Sequence, residues 1–156
     1  MMEYLNLDQK AAQYAQSMVK NSKDIQNVKK PIDTLERLVT KTLGVLQEQG
    51  VYAMMLFLFS RTSDEEKIAP TIRTQLFRLL RDNEQNHHLP AFKEADVPAD
   101  KADAQTALKF YNENILEDLD ILLLVRDLYE QTLIYARYGA KAAKADTNGT
   151  KTQEGS

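Results

Sequence analysis

The chain has 156 residues, 43% of them apolar and 28% charged, with a net charge of −3 and no cysteine. This composition predicts one globular domain. It excludes disulfides, thiolate metal sites and a cysteine nucleophile. The net acidity argues against a generic nucleic-acid binder. The longest apolar run, residues 51–59, is nine residues long, whereas a bilayer span needs about 20. Since the N-terminus also lacks a signal-peptide pattern, we expect a cytoplasmic protein without membrane contact.

Helix one is predicted over residues 7–27. Apolar side chains recur there at helical spacing, and Asn6 stands in position to cap the N-terminus, with Gln9 three residues on. The helix also carries small side chains that would let a neighbouring helix approach closely, namely Ala11, Ala12 and Ala15.

Helix two is predicted to begin at Asp33, with Glu36 three residues on as the second member of a capping box. Gly50 should close this helix in a left-handed conformation. Residues 51–59 follow at once and are apolar on all sides. Because alanine, methionine and leucine dominate this run, it favours a helix over a buried strand. We expect it to be the central helix of the bundle.

The second half of the chain predicts one helix, an irregular stretch and a long last helix. The fourth helix should cover residues 66–82, with Pro70 starting or kinking its regular part. Residues 83–99 contain two further prolines and should be irregular. The last helix should run over residues 101–143, with an interruption near residues 112–114.

The middle of this last helix, residues 115–128, is apolar on two faces. One face has Leu119, Leu122 and Leu123, and the other has Leu124, Val125 and Leu128. Such a helix is either enclosed in the core or reaches a partner. The polar residues 145–156 are expected to form a disordered tail. The predicted fold is therefore all-α, a compact helical bundle of five to six helices with a long C-terminal helix, in a single domain of residues 1–144.

Few residues suit catalysis. The two histidines, His87 and His88, are adjacent in the predicted irregular stretch, and the glycines form no phosphate-binding loop. Glu84 and His87 have the spacing used in helical di-metal sites, but such sites need this motif twice. An enzyme using that pair is a remote alternative. We predict no catalytic residues, no metal site and no cofactor, and hence a protein that is not an enzyme.

Charge is distributed unevenly along the chain. Residues 1–62 carry eight bases against six acids, a net +2, and residues 83–144 carry seven against eleven, a net −4. Basic side chains neutralise phosphates without reading base sequence. One interpretation is that these are solvated charges placed by chance, and the other is a polarised surface that offers its basic side to an anion such as the phosphates of RNA. Its candidate residues are Lys20, Lys23, Lys41, Arg61, Lys67, Arg78 and Arg81.

Three segments resemble one known family. They are LDQKAAQYA at residues 7–15, VLQEQGVYA at residues 45–53 with the apolar helix that ends in Phe59-Ser60-Arg61, and a leucine-rich helix with aromatic and basic residues at 123–137. In this order they are similar to the small subunit of the type III-B (Cmr) CRISPR RNA-guided effector complex. The resemblance covers most of residues 5–140.

The resemblance implies a non-catalytic subunit of an antiviral ribonucleoprotein. Several copies of such a subunit stack beside the other CRISPR effector subunits and the guide RNA, and they line the groove that accepts the target RNA. The alternative hypothesis is a stand-alone helical adaptor that binds a protein partner through the two-faced last helix.

Overall fold

A computed structural model of the chain describes residues 2–81 and 97–154, with side chains over 7–81 and 97–146. Within these residues the chain forms six helices and no strand. The all-α bundle with a long C-terminal helix is thereby confirmed. The helices are α1 (Met2–Lys23), α2 (Pro31–Gln49), α3 (Val51–Phe59), α4 (Ser63–Arg81), α5 (Ala104–Asn114) and α6 (Leu119–Glu154).

Helix α1 begins and ends earlier than predicted. It starts at Met2, so the prediction that Asn6 caps it is wrong. Glutamate and leucine are good helix formers, and they extend the helix upstream of the capping pattern. The helix ends at Lys23. Further on, Asn27 has a φ of +66°, so a right-handed helix could not extend through residue 27 as predicted.

Helix α2 begins two residues before the predicted start at Asp33. Lys30 is its N-cap residue, without a side-chain cap bond, and Pro31 is its first helical residue. Proline suits this position because its φ is already helical and its missing N–H would have no intrahelical partner. The predicted capping role of Asp33 is therefore wrong. Its carboxylate instead receives the ammonium of Lys144, with the nitrogen 2.8 Å from Oδ1.

Gly50 joins α2 to α3 without any intervening loop. Its N–H donates to the carbonyl of Leu46 at 3.0 Å, and its own carbonyl accepts from the N–H of Met54 at 3.0 Å. Its φ is +97° and its ψ is −175°, a backbone region that is essentially restricted to glycine. The predicted position of Gly50 at the end of helix two and its positive φ are confirmed, but its ψ is extended and not left-handed helical. The residue ends one helix while it starts the next.

Helix α3 has the predicted bounds but is not enclosed on all sides. Met54, Met55 and Leu58 are buried, whereas Leu56 is 48% exposed. The most extensive helix contacts in the described structure are those of α6 with α1 and with α2. The prediction that residues 51–59 form the central helix is therefore wrong. A run that is apolar on every side does not reveal that one side is left uncovered.

Helix α4 also begins earlier than predicted, at Ser63, and it contains Pro70 in its interior. Three acidic residues follow Ser63 in the first turn, where they stabilise the positive end of the helix dipole.

The break in the long C-terminal helix lies where the sequence predicts an interruption. Helix α5 ends at Asn114, Ile115 is buried, and α6 begins at Leu119. Asp118 caps α6, since its Oδ1 accepts from the backbone N–H of Asp120 at 3.0 Å and of Ile121 at 3.3 Å. Helix α6 then continues to Glu154, past the predicted domain end at residue 144. The disorder expected of residues 145–156 stays a prediction.

Small side chains bring α1 and α6 together. Ala11 and Ala15 of α1 are buried, as are Ala136 and Ala140 of α6. A Cβ atom on Gly139 would lie 3.2 Å from Cγ2 of Val19, so the two backbones are close at this point. The predicted close approach of a helix is confirmed for Ala11 and Ala15, whereas Ala12 is exposed. No helix in the described ranges is long and apolar enough to cross a membrane.

Candidate functional site

The seven predicted RNA-facing side chains fall into three places. Arg78 and Arg81 bind one carboxylate, that of Asp100, at 2.7 Å and 3.2 Å. Arg81 also donates to the carbonyl of Pro98 at 2.6 Å. The hydrogen bond from Arg78, assisted by that from Arg81, holds the pKa of Asp100 below its usual range. These two arginines therefore fasten the segment before α5 onto the end of α4.

A second group links α4 to other parts of the fold and consists of Lys41 on α2, Arg61 between α3 and α4, and Lys67 on α4. Lys41 and Arg61 both pair with Glu65, at 2.9 Å and 3.5 Å. The guanidinium of Arg61 also stacks 3.6 Å from the ring centroid of Phe57. Lys67 donates to the carbonyl of Asn27 at 3.0 Å. Each of these cations has a structural contact, so five of the seven candidates join elements of the fold.

The third group is Lys20 and Lys23 on α1. Both are exposed, and neither makes an ion pair with a residue that the structure describes. They border an open groove of about 830 Å³ between α1 and α6 that is also lined by Ala15, Tyr135 and Gly139. Contact between RNA and any of the seven residues stays a prediction, and these two lysines have the fewest competing contacts.

A more distinctive surface lies where α5 ends and α6 begins. Leu116, Leu119 and Leu123 are 36%, 67% and 46% exposed. We call these three residues the leucine corner. Leu119 and Leu123 are four residues apart on α6 and therefore share one face of the helix. Isolated exposed leucines are ordinary, but neighbouring ones indicate an interaction surface.

The burial of side chains along α6 shows which of its two predicted apolar faces lies in the core. Val125 and Leu128 are buried, so the second of the two predicted faces belongs to the core. Leu122 and Leu124 are half-buried. On the first face, Leu122 is therefore partly covered, whereas Leu119 and Leu123 are exposed to solvent.

Acidic residues flank the leucine corner along the chain. Residues 113–130 contain six acids and a single base, Arg126. That base is engaged within the fold, because its Nη2 donates to the carbonyl of Gln47 at 2.9 Å. The five acids that are exposed form what we call the acidic rim: Glu113, Glu117, Asp118, Asp120 and Asp127. The sequence analysis did not identify the cap at Asp118 or the acidic residues beside the exposed leucines.

Among the described residues, two tyrosine hydroxyls lie together in the core. The hydroxyls of Tyr111 and Tyr129 are 2.6 Å apart in the core, and burial raises the pKa of both phenols. Tyr129 also lies 3.4 Å from the carbonyl of Leu76. Both rings are fully buried, so each hydroxyl gives the other a hydrogen-bond partner inside the core.

Over the part of the chain that the structure describes, no three histidine, cysteine or acidic side chains are placed to hold a metal ion. Glu84, His87 and His88 lie outside the described residues. The comparison with protein-family models finds no match for this chain, and the comparisons with curated proteins and with solved structures find none either.

Proposed function

We propose that this protein is a non-catalytic subunit of a larger assembly and acts by docking to other macromolecules. The observation that carries the proposal is the leucine corner, where Leu116 in the connection from α5 and Leu119 and Leu123 at the start of α6 are exposed. Burying a fully exposed leucine side chain is worth about 1.5–3 kcal/mol, and these partly exposed leucines would contribute a fraction of that each. A partner that covers the corner would therefore gain apolar contact there.

The assembly that we propose is the type III-B CRISPR effector complex, in which the protein takes part in antiviral defence. The support is the family resemblance of residues 7–15, 45–61 and 123–137. These segments lie on α1, across the α2–α3 junction at Gly50, and on α6. In this proposal several copies of the chain stack beside other effector subunits and the guide RNA, along the groove for target RNA.

Contact with RNA is assigned to Lys20 and Lys23 before the other candidates, because these lysines are exposed and not used to hold the fold. Two charges give only weak, salt-dependent binding, in the range of about 10⁻⁴ to 10⁻⁶ M for non-specific contacts. Stacked copies would raise the effective concentration of such contacts. The isolated chain should therefore bind RNA poorly, and the assembly should bind it well.

The test is purification of the tagged full-length chain from cells that express it with its neighbouring genes, followed by mass spectrometry and RNA sequencing. The proposal expects large repeat-associated proteins and a discrete guide RNA in the purified material. The test variant is Leu119→Ser/Leu123→Ser. It should fold, and the material purified with it should lack these components. Recovery of one protein partner and no RNA would instead support the stand-alone adaptor.

A further inference from the structure

We propose that the leucine corner binds a basic amphipathic helix of a partner protein. This inference rests on the proposed docking function and specifies the chemistry of the partner. It does not depend on which assembly contains the chain.

The apolar part of the surface suits a helix. Leu119 and Leu123 lie one turn apart on α6, and Leu116 precedes them in the connection from α5. These side chains form a short apolar stripe. A partner helix presents apolar residues at positions i, i+3, i+4 and i+7, and such a stripe can pack against the leucines by ridges and grooves.

The charged part of the surface selects a basic helix. Asp120 and Asp127 are three residues before and four residues after Leu123 on α6, and Glu113 and Glu117 lie on the side of α5 and the connecting segment. The leucines thus have carboxylates on either side along the chain. A helix with lysine or arginine beside its apolar stripe complements this pattern, because charge complementarity at a rim accelerates encounter and disfavours wrong partners.

The same charges disfavour two other occupants. An RNA backbone would bring phosphates against five exposed carboxylates. A second copy of the chain related by a two-fold axis would place one acidic rim against the other, because a two-fold interface uses the same patch twice. Both arrangements oppose like charges, so a basic protein segment is the occupant that the surface favours.

The test uses the full chain and a synthetic helical peptide of leucine and lysine, with its leucines along one face, followed by calorimetry. One control peptide has the same composition with the leucines spread around the helix, and another has glutamate in place of lysine. We expect binding of the first peptide, and affinities at least about tenfold lower for both controls. Binding should weaken as salt rises.

Variants locate the binding surface. Leu119→Ser/Leu123→Ser should lower the affinity for the leucine–lysine peptide by about tenfold or more. Its matched control is Tyr138→Ser, which removes another exposed apolar side chain of α6 and should leave the affinity unchanged. Asp120→Asn/Asp127→Asn should weaken binding and flatten its salt dependence. The equivalent change of two exposed acids on α4, Asp64→Asn/Glu66→Gln, should do neither.

Three results would overturn the inference. One is equal binding of the lysine and glutamate peptides. Another is an equal loss of affinity in the leucine variant and the Tyr138 variant. The third is a concentration-dependent dimer of the natural chain that Leu119→Ser/Leu123→Ser abolishes, since a second copy would then occupy the corner. Failure of the peptide to bind, together with recovery of a ribonucleoprotein in cells, would reject the basic helix and leave the proposed function intact.

Discussion

The two halves of α6 over its described side chains, residues 119–132 and 133–146, differ in a way that residue hydrophobicity does not explain. In the first half Leu119 is 67% exposed, whereas in the second half Ala136 and Ala140 are fully buried. The larger apolar side chain is outside and the smaller ones are inside. Alanines allow the helix to approach α1 closely, and that approach buries the second half. The leucines of the first half have no helix in front of them among the described residues.

The two halves also differ in the surroundings of their charged side chains. Near the C-terminal end, the ammonium of Lys144 lies between the carboxylates of Asp33 and Glu36 on α2. Near the N-terminal end, exposed carboxylates flank the leucine corner along the chain. Lys144 is thus neutralised within the fold, while the first half presents charge and apolar surface together. This combination is expected of a binding surface.

The largest expected effect comes from deleting a leucine side chain in each half. Leu133→Ala removes a fully buried side chain and should lower the free energy of unfolding by about 2–5 kcal/mol. Leu119→Ala removes a mostly exposed one and should change it by no more than about 0.5 kcal/mol. Urea denaturation of the two variants measures both values. Similar losses would show that the leucine corner is covered within the monomer.

A second effect concerns α2, which packs against α6. Gly50 sits in a glycine-only backbone region, and a Cβ added there would meet no neighbouring atom within 4 Å. Gly50→Ala should therefore cost about 1–3 kcal/mol through backbone strain alone. Gly44, inside α2, has equal space around it, so Gly44→Ala should stabilise the fold by about 0.5–1 kcal/mol. Equal denaturation midpoints for these variants would contradict the assigned helix junction.

A third effect distinguishes two groups of basic residues. Arg78→Glu/Arg81→Glu breaks both contacts to Asp100 and places like charges beside it, and it should cost about 1–2 kcal/mol. Lys20→Glu/Lys23→Glu should cost less than about 0.5 kcal/mol. Thermal melts compare the pairs. Because the arginines support the fold, the lysine variant is the sharper probe of RNA contact. If the arginine variant instead has an unchanged melting temperature, the two arginines do not support the fold and are again candidates for RNA contact.

The smallest effect is a dependence of stability on pH at the C-terminal end of α6. The hydrogen bond from Lys144 lowers the pKa of Asp33 below 3.8, and the bonds to Asp33 and Glu36 raise the pKa of Lys144 above 10.5. A lowered carboxyl pKa stabilises the fold above the unfolded pKa, and that contribution is lost as pH falls through the folded value. The raised lysine pKa gives stability that is lost as pH rises through its folded value.

Denaturation of Asp33→Asn measures this contribution. The variant should lose a little stability at neutral pH and show a smaller further loss than the natural chain below about pH 4. Glu113→Gln, an exposed acid of the other region, is the matched control. Parallel pH profiles for the natural chain and Asp33→Asn would contradict the pairing.

Local sequence rules predict much of the backbone and little of the surface. Gly50, the helix over residues 51–59 and the break near residue 114 all follow from glycine geometry, composition and loss of periodicity. The caps at Asn6 and Asp33 fail because strong helix formers and Pro31 extend the helices past them. The partner of Arg78 and Arg81 is 22 and 19 residues away, so only the folded chain reveals it. Helical periodicity likewise detects the two apolar faces of α6 but does not indicate which of them lacks a neighbour.

The most direct test of a docking function at the start of α6 is amide hydrogen exchange. It compares the purified chain with the same chain in the assembly recovered from cells. We expect slower exchange over residues 113–130 in the assembly and little change over residues 132–146, where the helix is already packed. Protection that appears only outside residues 113–130 would contradict docking at the leucine corner.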